Sequence, residues 1–210
     1  MATLSSLFQQ NCTQFGNSTC IEVYQPGTEP AITIRLSYQQ FYCALLQQAR
    51  QLRDHFTLQK TDTIAILADN SLAYLILAYA APLAGIRVLL ISTKVLPHHL
   101  QYFLHTTDCK LLFVSNAYKA LADTTGCTTI VLDENLAAAN VDASSSVTDF
   151  DLADIDDNAC ALILHTSGTT STPRLVYLTH HNILSNQQAV AGSVGSFWSQ
   201  QDSSLAFLPL

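Results

Sequence analysis

Hydrophobic positions along this chain follow two rhythms that alternate. Short apolar runs rich in β-branched residues stand at 63–67, 87–91, 110–114, 128–132 and 160–165, and 32–35 has the same character. Runs of that length and content predict buried strands. Between them the spacing changes. Over 38–56, Phe41, Leu45, Ala49 and Leu52 recur at intervals of three and four, which predicts one buried face of a helix. Further helices are expected over 71–84 and 97–105, a short one over 116–122, and another from His180 to Val190 with Thr179 as its N-cap. Strands alternating with helices predict an α/β fold, a mostly parallel sheet with helices on both faces. No internal repeat is visible.

One segment tests that parse. Residues 72–91 are 20 in number with a single charge, close to the length of a membrane span. Gly85 and Arg87 interrupt it, and Pro82 weakens a continuous helix. An apolar helix, a stop at Gly85 and a buried strand from Arg87 account for it, so no membrane span is expected.

Composition narrows the class. Of 210 residues, 49% are hydrophobic and only 12% charged, enough to build a substantial core. The net charge of −7 argues against nucleic acid as a partner, because phosphate backbones require a basic face. Half of the 16 acidic residues lie between Asp133 and Asp157, in a polar stretch poor in aromatics that suits a surface connection. The chain then divides into a lead-in over 1–30, a first α/β subdomain over 31–132, the acidic connection over 133–158, and a strand–loop–helix unit over 159–210. Six cysteines and two glycosylation sequons, Asn11-Cys12-Thr13 and Asn17-Ser18-Thr19, would suit a secreted protein. Residues 1–10 carry neither a basic flank nor a long apolar core, so no signal peptide is expected there. A reduced intracellular, cytoplasmic setting with free thiols is the expectation.

The candidate chemistry sits where the last predicted strand stops. After Leu162-Ile163-Leu164-His165 come Thr166-Ser167-Gly168-Thr169-Thr170-Ser171-Thr172-Pro173-Arg174. Gly168 lets a backbone approach a charged group closely, and successive N–H groups can form an anion nest. The hydroxyls add donors and Arg174 adds a fixed cation. A phosphate chain is the natural ligand. Ser/Thr/Gly clusters are also what ordinary loops look like, and no Gly-Lys-Ser/Thr follows, so this is not a Walker A loop. His98-His99 and His180-His181 lack a carboxylate or cysteine at ligand spacing, which favours surface or capping roles over a metal. His165, at the strand–loop junction, is a candidate contact to nucleotide or acyl substrate.

The residues from Thr166 to Arg174, followed by Leu178-Thr179-His180 and Asn182, resemble the phosphate-loop motif of the adenylate-forming enzymes: acyl-CoA synthetases, adenylation domains of peptide synthetases, and luciferases. The usual form is Thr-Ser-Gly-Thr-Thr-Gly-x-Pro-Lys-Gly, then Leu-Thr-His. Ser171 and Leu175 stand where glycine is usual, and Arg174 stands where lysine is usual. Upstream, Leu36-Ser37-Tyr38, the run from Thr63 to Ser71, Ala84-Gly85 and the run from Asp108 to Val114 also resemble family segments. The likeness covers roughly residues 30–210.

The resemblance implies the N-terminal part of that family's large domain. It implies an AMP-forming ligase that activates a carboxylic acid with ATP as acyl-adenylate, then thioesterifies it to CoA or a carrier thiol. Thr166, Ser167, Gly168, Thr169, Thr170, Ser171 and Arg174 would bind the phosphates of ATP or AMP, and Thr169 or Thr170 would lie near Mg²⁺. The family's Mg²⁺-ligating Glu, adenine-contacting aromatic, ribose-binding Asp and catalytic Lys come from later segments. Ala206-Phe207-Leu208-Pro209-Leu210 resembles the start of the next family motif. A fragment of a longer ligase is therefore expected, with the remaining segments as its partners, a cytoplasmic or peroxisomal full-length parent, and no activity of its own. A non-catalytic remnant with weak nucleotide affinity is the alternative.

Overall fold

β3 (Thr63–Leu67) is buried at all five positions. Ile64 and Ile66 point to one face, while Ala65 and Leu67 point to the other and enter a separate apolar cluster. A strand apolar on both faces needs a layer on each side, and the rest of the chain supplies them. The structure, a computed structural model, describes residues 3–25, 32–132, 155–166, 173–195 and 202–204. The acidic connection up to 154 and the apolar end over 205–210 lie outside the described residues.

Six strands form the main sheet in the order β6-β5-β3-β4-β7-β8. They are β4 (Arg87–Leu90), β5 (Cys109–Val114), β6 (Thr129–Val131), β7 (Cys160–His165) and β8 (Leu175–Thr179) around β3. All neighbours pair in parallel except β7 and β8, which are antiparallel. One face is covered by α1 (Leu4–Phe15), α2 (Tyr38–Asp54) and α3 (Leu72–Leu83). α4 (Pro97–Thr106) and the short α5 (Lys119–Ala122) cover the other through Leu100, Phe103, Leu104 and Ala122. A 3₁₀ turn, Asn116–Tyr118, precedes α5. The predicted α/β class and mostly parallel sheet are what the structure has.

Local chemistry explains the helix boundaries. α2 starts where Ser37 and Gln40 cap each other reciprocally. Its predicted face is the buried one, with Phe41, Leu45, Ala49 and Leu52 at most 3% exposed. α3 ends as expected at Gly85, whose φ of 75° suits the left-handed turn that returns the chain to β4. Lys60 Cγ lies 3.2 Å from where a Cβ on Gly85 would sit, so that position is also crowded. Pro82 falls in the last turn of α3, where it removes little. No helix among the described residues is long and apolar enough to cross a membrane.

The structure adds two elements to the lead-in. Thr3 and Ser6 cap α1 reciprocally, and Phe8 meets Phe41 and Tyr79 edge-on at ring separations of 5.9 and 5.2 Å. β1 (Thr19–Gln25) pairs antiparallel with β2 (Ile32–Ser37) as a separate two-stranded sheet. Their signals were present in the sequence. Leu4, Leu7 and Phe8 have helical spacing, and Ile21 and Val23 alternate with polar neighbours. β8 is likewise an addition. Its five residues, Leu-Val-Tyr-Leu-Thr, are strand formers lying between the candidate loop and the final helix, where no strand is expected from sequence. The final helix, α6 (His180–Val194), begins at the expected residue, with Thr179 and Asn182 forming a capping box.

Candidate functional site

β7 carries the candidate loop on its carboxyl end. Its register with β4 places Leu162 beside Val88 and Ile163 beside Leu89, in the parallel part of the sheet. The chain then reverses, and β8 runs back along β7 from His165↔Leu175 to Cys160↔Thr179. The two ends of the span between them are held together, forming a neck. Thr166 N–H donates to the Arg174 carbonyl at 3.0 Å, and Arg174 N–H donates to Thr166 Oγ1 at 3.2 Å. Two residues eight positions apart are thus held together, and both are exposed. Thr166 Oγ1 accepts in this arrangement, which leaves its own proton free to donate outward.

Of the residues singled out from sequence, Thr166 and Arg174 are brought together. Ser167, Gly168, Thr169, Thr170 and Ser171 belong to the span 167–172, outside the described residues. His165 lies beside the neck but turns inward. Its Nε2 accepts a hydrogen bond from Ser92 N–H at 3.0 Å, and its ring stacks on Phe103 at 4.7 Å and 27°. Half-burial lowers its pKa from the ordinary 6.5, with nearby His99 adding to that and a backbone hydrogen bond at Thr166 opposing it. An accepting Nε2 carries no proton, so the neutral ring holds its proton on Nδ1. Ser92 and Phe103 are functional neighbours that sequence reasoning missed. Neither carries a local signal, since Ser92 acts through its backbone and Phe103 reads as core.

The same edge of the sheet gathers other polar groups. Tyr118 Oη donates to Asp69 Oδ1 at 3.0 Å, joining the segments after β5 and β3. Open parallel sheets bind ligands beyond the carboxyl ends of their strands, where helix and loop N–H groups converge. Hydroxyls and amides at the loop neck suit phosphate oxygens. Mg²⁺ takes carboxylate and water oxygens instead. Asp156 and Asp157 stand at the amino end of β7, about 20 Å away by strand rise. Among the described residues, no group of three or more His, Cys, Asp or Glu side chains could hold a metal ion. His98 and His99 lie side by side at 4.1 Å at the start of α4. His180 is 1% exposed and is a core residue, whereas His181 is exposed.

Comparison with known proteins identifies the family and matches the fold. A family model described as AMP-binding enzyme matches residues 8–210. The chain is 28% identical over 178 residues to the 2-succinylbenzoate–CoA ligase of Bacillus velezensis, covering 84% of this chain and 34% of that protein. In fold it is similar to a long-chain-fatty-acid-CoA ligase from Archaeoglobus fulgidus, with a TM-score of 0.76 at 21% identity over 96% of this chain and 40% of that one. It is also similar to a fatty acyl-adenylate ligase from L. pneumophila, solved with acyl adenylate and pyrophosphate, with a TM-score of 0.74 at 16% identity over 92% of this chain and 33% of that one. The chain spans about a third of the length of the curated relatives it matches (34% for the ligase from B. velezensis).

Proposed function

The chain belongs to the AMP-binding enzyme family, and from that premise we propose that it is the N-terminal portion of an AMP-forming acid–thiol ligase. The observation that carries this reading is the pinched neck at Thr166 and Arg174 on the carboxyl end of a parallel sheet. It holds the two ends of the Ser/Thr/Gly span together at the carboxyl end of β7. The reaction begins when a carboxylate oxygen attacks the α-phosphorus of ATP. The bond to the bridging oxygen breaks and pyrophosphate leaves, yielding acyl-adenylate. Negative charge builds on the phosphates as this happens. N–H and hydroxyl donors from Thr166, Ser167, Gly168, Thr169, Thr170 and Ser171, with the Arg174 cation, would stabilise it. A thiol of CoA or a carrier protein then takes the acyl group and releases AMP.

Mg²⁺ would screen the phosphates when bound. Thr169 or Thr170 would stand beside it, with the carboxylate ligand supplied from outside the β7–β8 unit. His165 is held too firmly by Ser92 and Phe103 to act as a base, and we assign it to positioning the start of the loop. The carboxylic acid and the remaining segments of the same ligase are the expected partners, in a cytoplasmic setting, or a peroxisomal one for the full-length protein.

The loop assignment is tested in the full-length ligase. Thr169→Val, Thr170→Val and Arg174→Ala should each raise the KM for ATP in pyrophosphate exchange by roughly ten- to a hundred-fold, the loss of a charge-assisted hydrogen bond worth about 1.5–3 kcal/mol. The KM for the acid should change far less. Wild-type exchange in all three variants would remove the loop from phosphate binding.

A further inference from the structure

Two of the six cysteines meet at the amino end of the sheet, on the side away from the loop. Cys109 opens β5, and Cys127 stands two residues before β6, 18 positions later. An irregularity in β5 brings them together. Against β3, Thr63 faces Cys109 but Ile64 faces Leu111, so Lys110 is an extra residue in the register. A bulge re-aims the side chain beside it. Regular alternation would send Cys109 to the face of Leu111 and Phe113. It packs instead with Leu112 and Val114, in the cluster that Cys127 also joins. Pairing of β5 with β6 begins at Leu112↔Thr129, and Leu112 N–H donates to the Thr128 carbonyl at 2.9 Å, which sets Cys127 alongside. Cys127 Sγ lies 3.7 Å from the Cys109 carbonyl oxygen, while the Cys109 thiol donates to the Leu111 carbonyl at 3.2 Å. Both are partly exposed and unoxidised.

We propose that Cys109 and Cys127 are a redox-active dithiol, which a low-molecular-weight disulfide converts reversibly into an intrachain disulfide between β5 and the approach to β6. In the first step the Cys127 thiolate attacks one sulfur of the small disulfide. The S–S bond breaks, a mixed disulfide forms on Cys127, and one small thiolate leaves. Cys109 then loses its proton and attacks Cys127 Sγ, expelling the second small thiolate. Two protein thiols are oxidised, one small disulfide is reduced to two thiols, and the two protons go with them. The reverse sequence restores the dithiol.

The order of attack follows from the surroundings of the two sulfurs. The Cys109 side chain lowers the pKa of Cys127 beside it to about 7, while Cys127 and burial raise the pKa of Cys109. The other thiols differ. Burial raises the pKa of Cys12, Cys20, Cys43 and Cys160. Oxidation is therefore directed to two of the six cysteines. The proposal does not depend on the ligase reading.

The test exposes the whole 210-residue chain to oxidised glutathione at neutral pH, blocks remaining thiols by alkylation, and maps the cysteines by mass spectrometry. The expected product is a Cys109–Cys127 cross-link that appears while the other four cysteines remain alkylated, and that dithiothreitol reverses. Cys109→Ser should trap glutathione on Cys127, and Cys127→Ser should give no cross-link and leave Cys109 reduced. In the unmutated chain, Cys127 should alkylate with iodoacetamide about ten times faster than any other cysteine at neutral pH. A first cross-link elsewhere, or a Cys127 that alkylates no faster than Cys20 or Cys160, would overturn the proposal whether or not the variants fold.

Discussion

His180 shows how much one buried side chain can decide. It opens α6, yet its ring lies against the start of α1, where Nδ1 accepts a hydrogen bond from Leu4 N–H at 3.3 Å. Burial lowers its pKa below the ordinary 6.5, and Asp157, the charged group that faces it, opposes that shift. A protonated Nδ1 cannot accept, so the native contact requires the neutral ring. The sign follows from linkage. The unfolded chain binds the proton more readily than the folded one, so the contribution is complete above about pH 6.5 and is lost as pH falls below it, levelling off once the folded ring titrates. Urea midpoints measured from about pH 7.5 to about pH 5 should fall across that window. His180→Asn keeps an acceptor near Nδ1 and should shrink the fall. An undiminished fall in that variant would assign the effect elsewhere, with His165, whose shift has the same direction, as the next candidate.

At the scale of elements, the sheet is asymmetric. β3 is central, with Ile64 and Ile66 fully buried between α-helical layers. β8 is an edge strand, with Val176 40% and Tyr177 47% exposed. Side chains of similar chemistry should therefore have different weights in stability. Ile66→Ala removes buried methylenes and leaves a cavity, a cost of about 2–5 kcal/mol. Val176→Ala removes atoms that water already touches and should stay within about 0.5 kcal/mol. Denaturant unfolding of the two variants checks this. Equal losses would mean that β8 is covered, and that its antiparallel edge position does not describe the protein in solution.

For the whole molecule, the described sheet and its two helical layers hold the ends of the candidate loop, and the chain spans about a third of the length of the ligase from B. velezensis. The chain's four lysines are Lys60, Lys94, Lys110 and Lys119, and the described structure ties Lys110 and Lys119 to Asp108 and Asp123 by surface ion pairs. None has the context that the family resemblance assigns to a catalytic lysine. Positioning and charge neutralisation supply most of the rate in a phosphoryl or adenylyl transfer. We therefore expect the 210-residue chain alone to show no acid-dependent ATP–pyrophosphate exchange with short, aromatic or fatty acids. Robust exchange with any of them would place the missing groups within this chain.

The sequence by itself determined whatever depends on neighbours along the chain. The strand at 63–67, the buried face of α2, the stop at Gly85 and the Thr179 cap all follow from local periodicity, capping groups and backbone freedom, and each is where it was expected. The strand that precedes the candidate loop, Cys160–His165, was legible for the same reason. The elements that were missed, α1, β1 and β8, carried local signals too weak to stand out beside a lead-in and a motif. Tertiary structure alone decided the contacts between distant residues. Ser92 reaches His165 across 73 positions, Leu4 reaches His180 across 176, and Cys127 reaches Cys109 through a bulge that no residue type announces. Such contacts depend on which strands become neighbours and in what register. That choice is made by burying both faces of β3 at once, a condition the whole chain meets together.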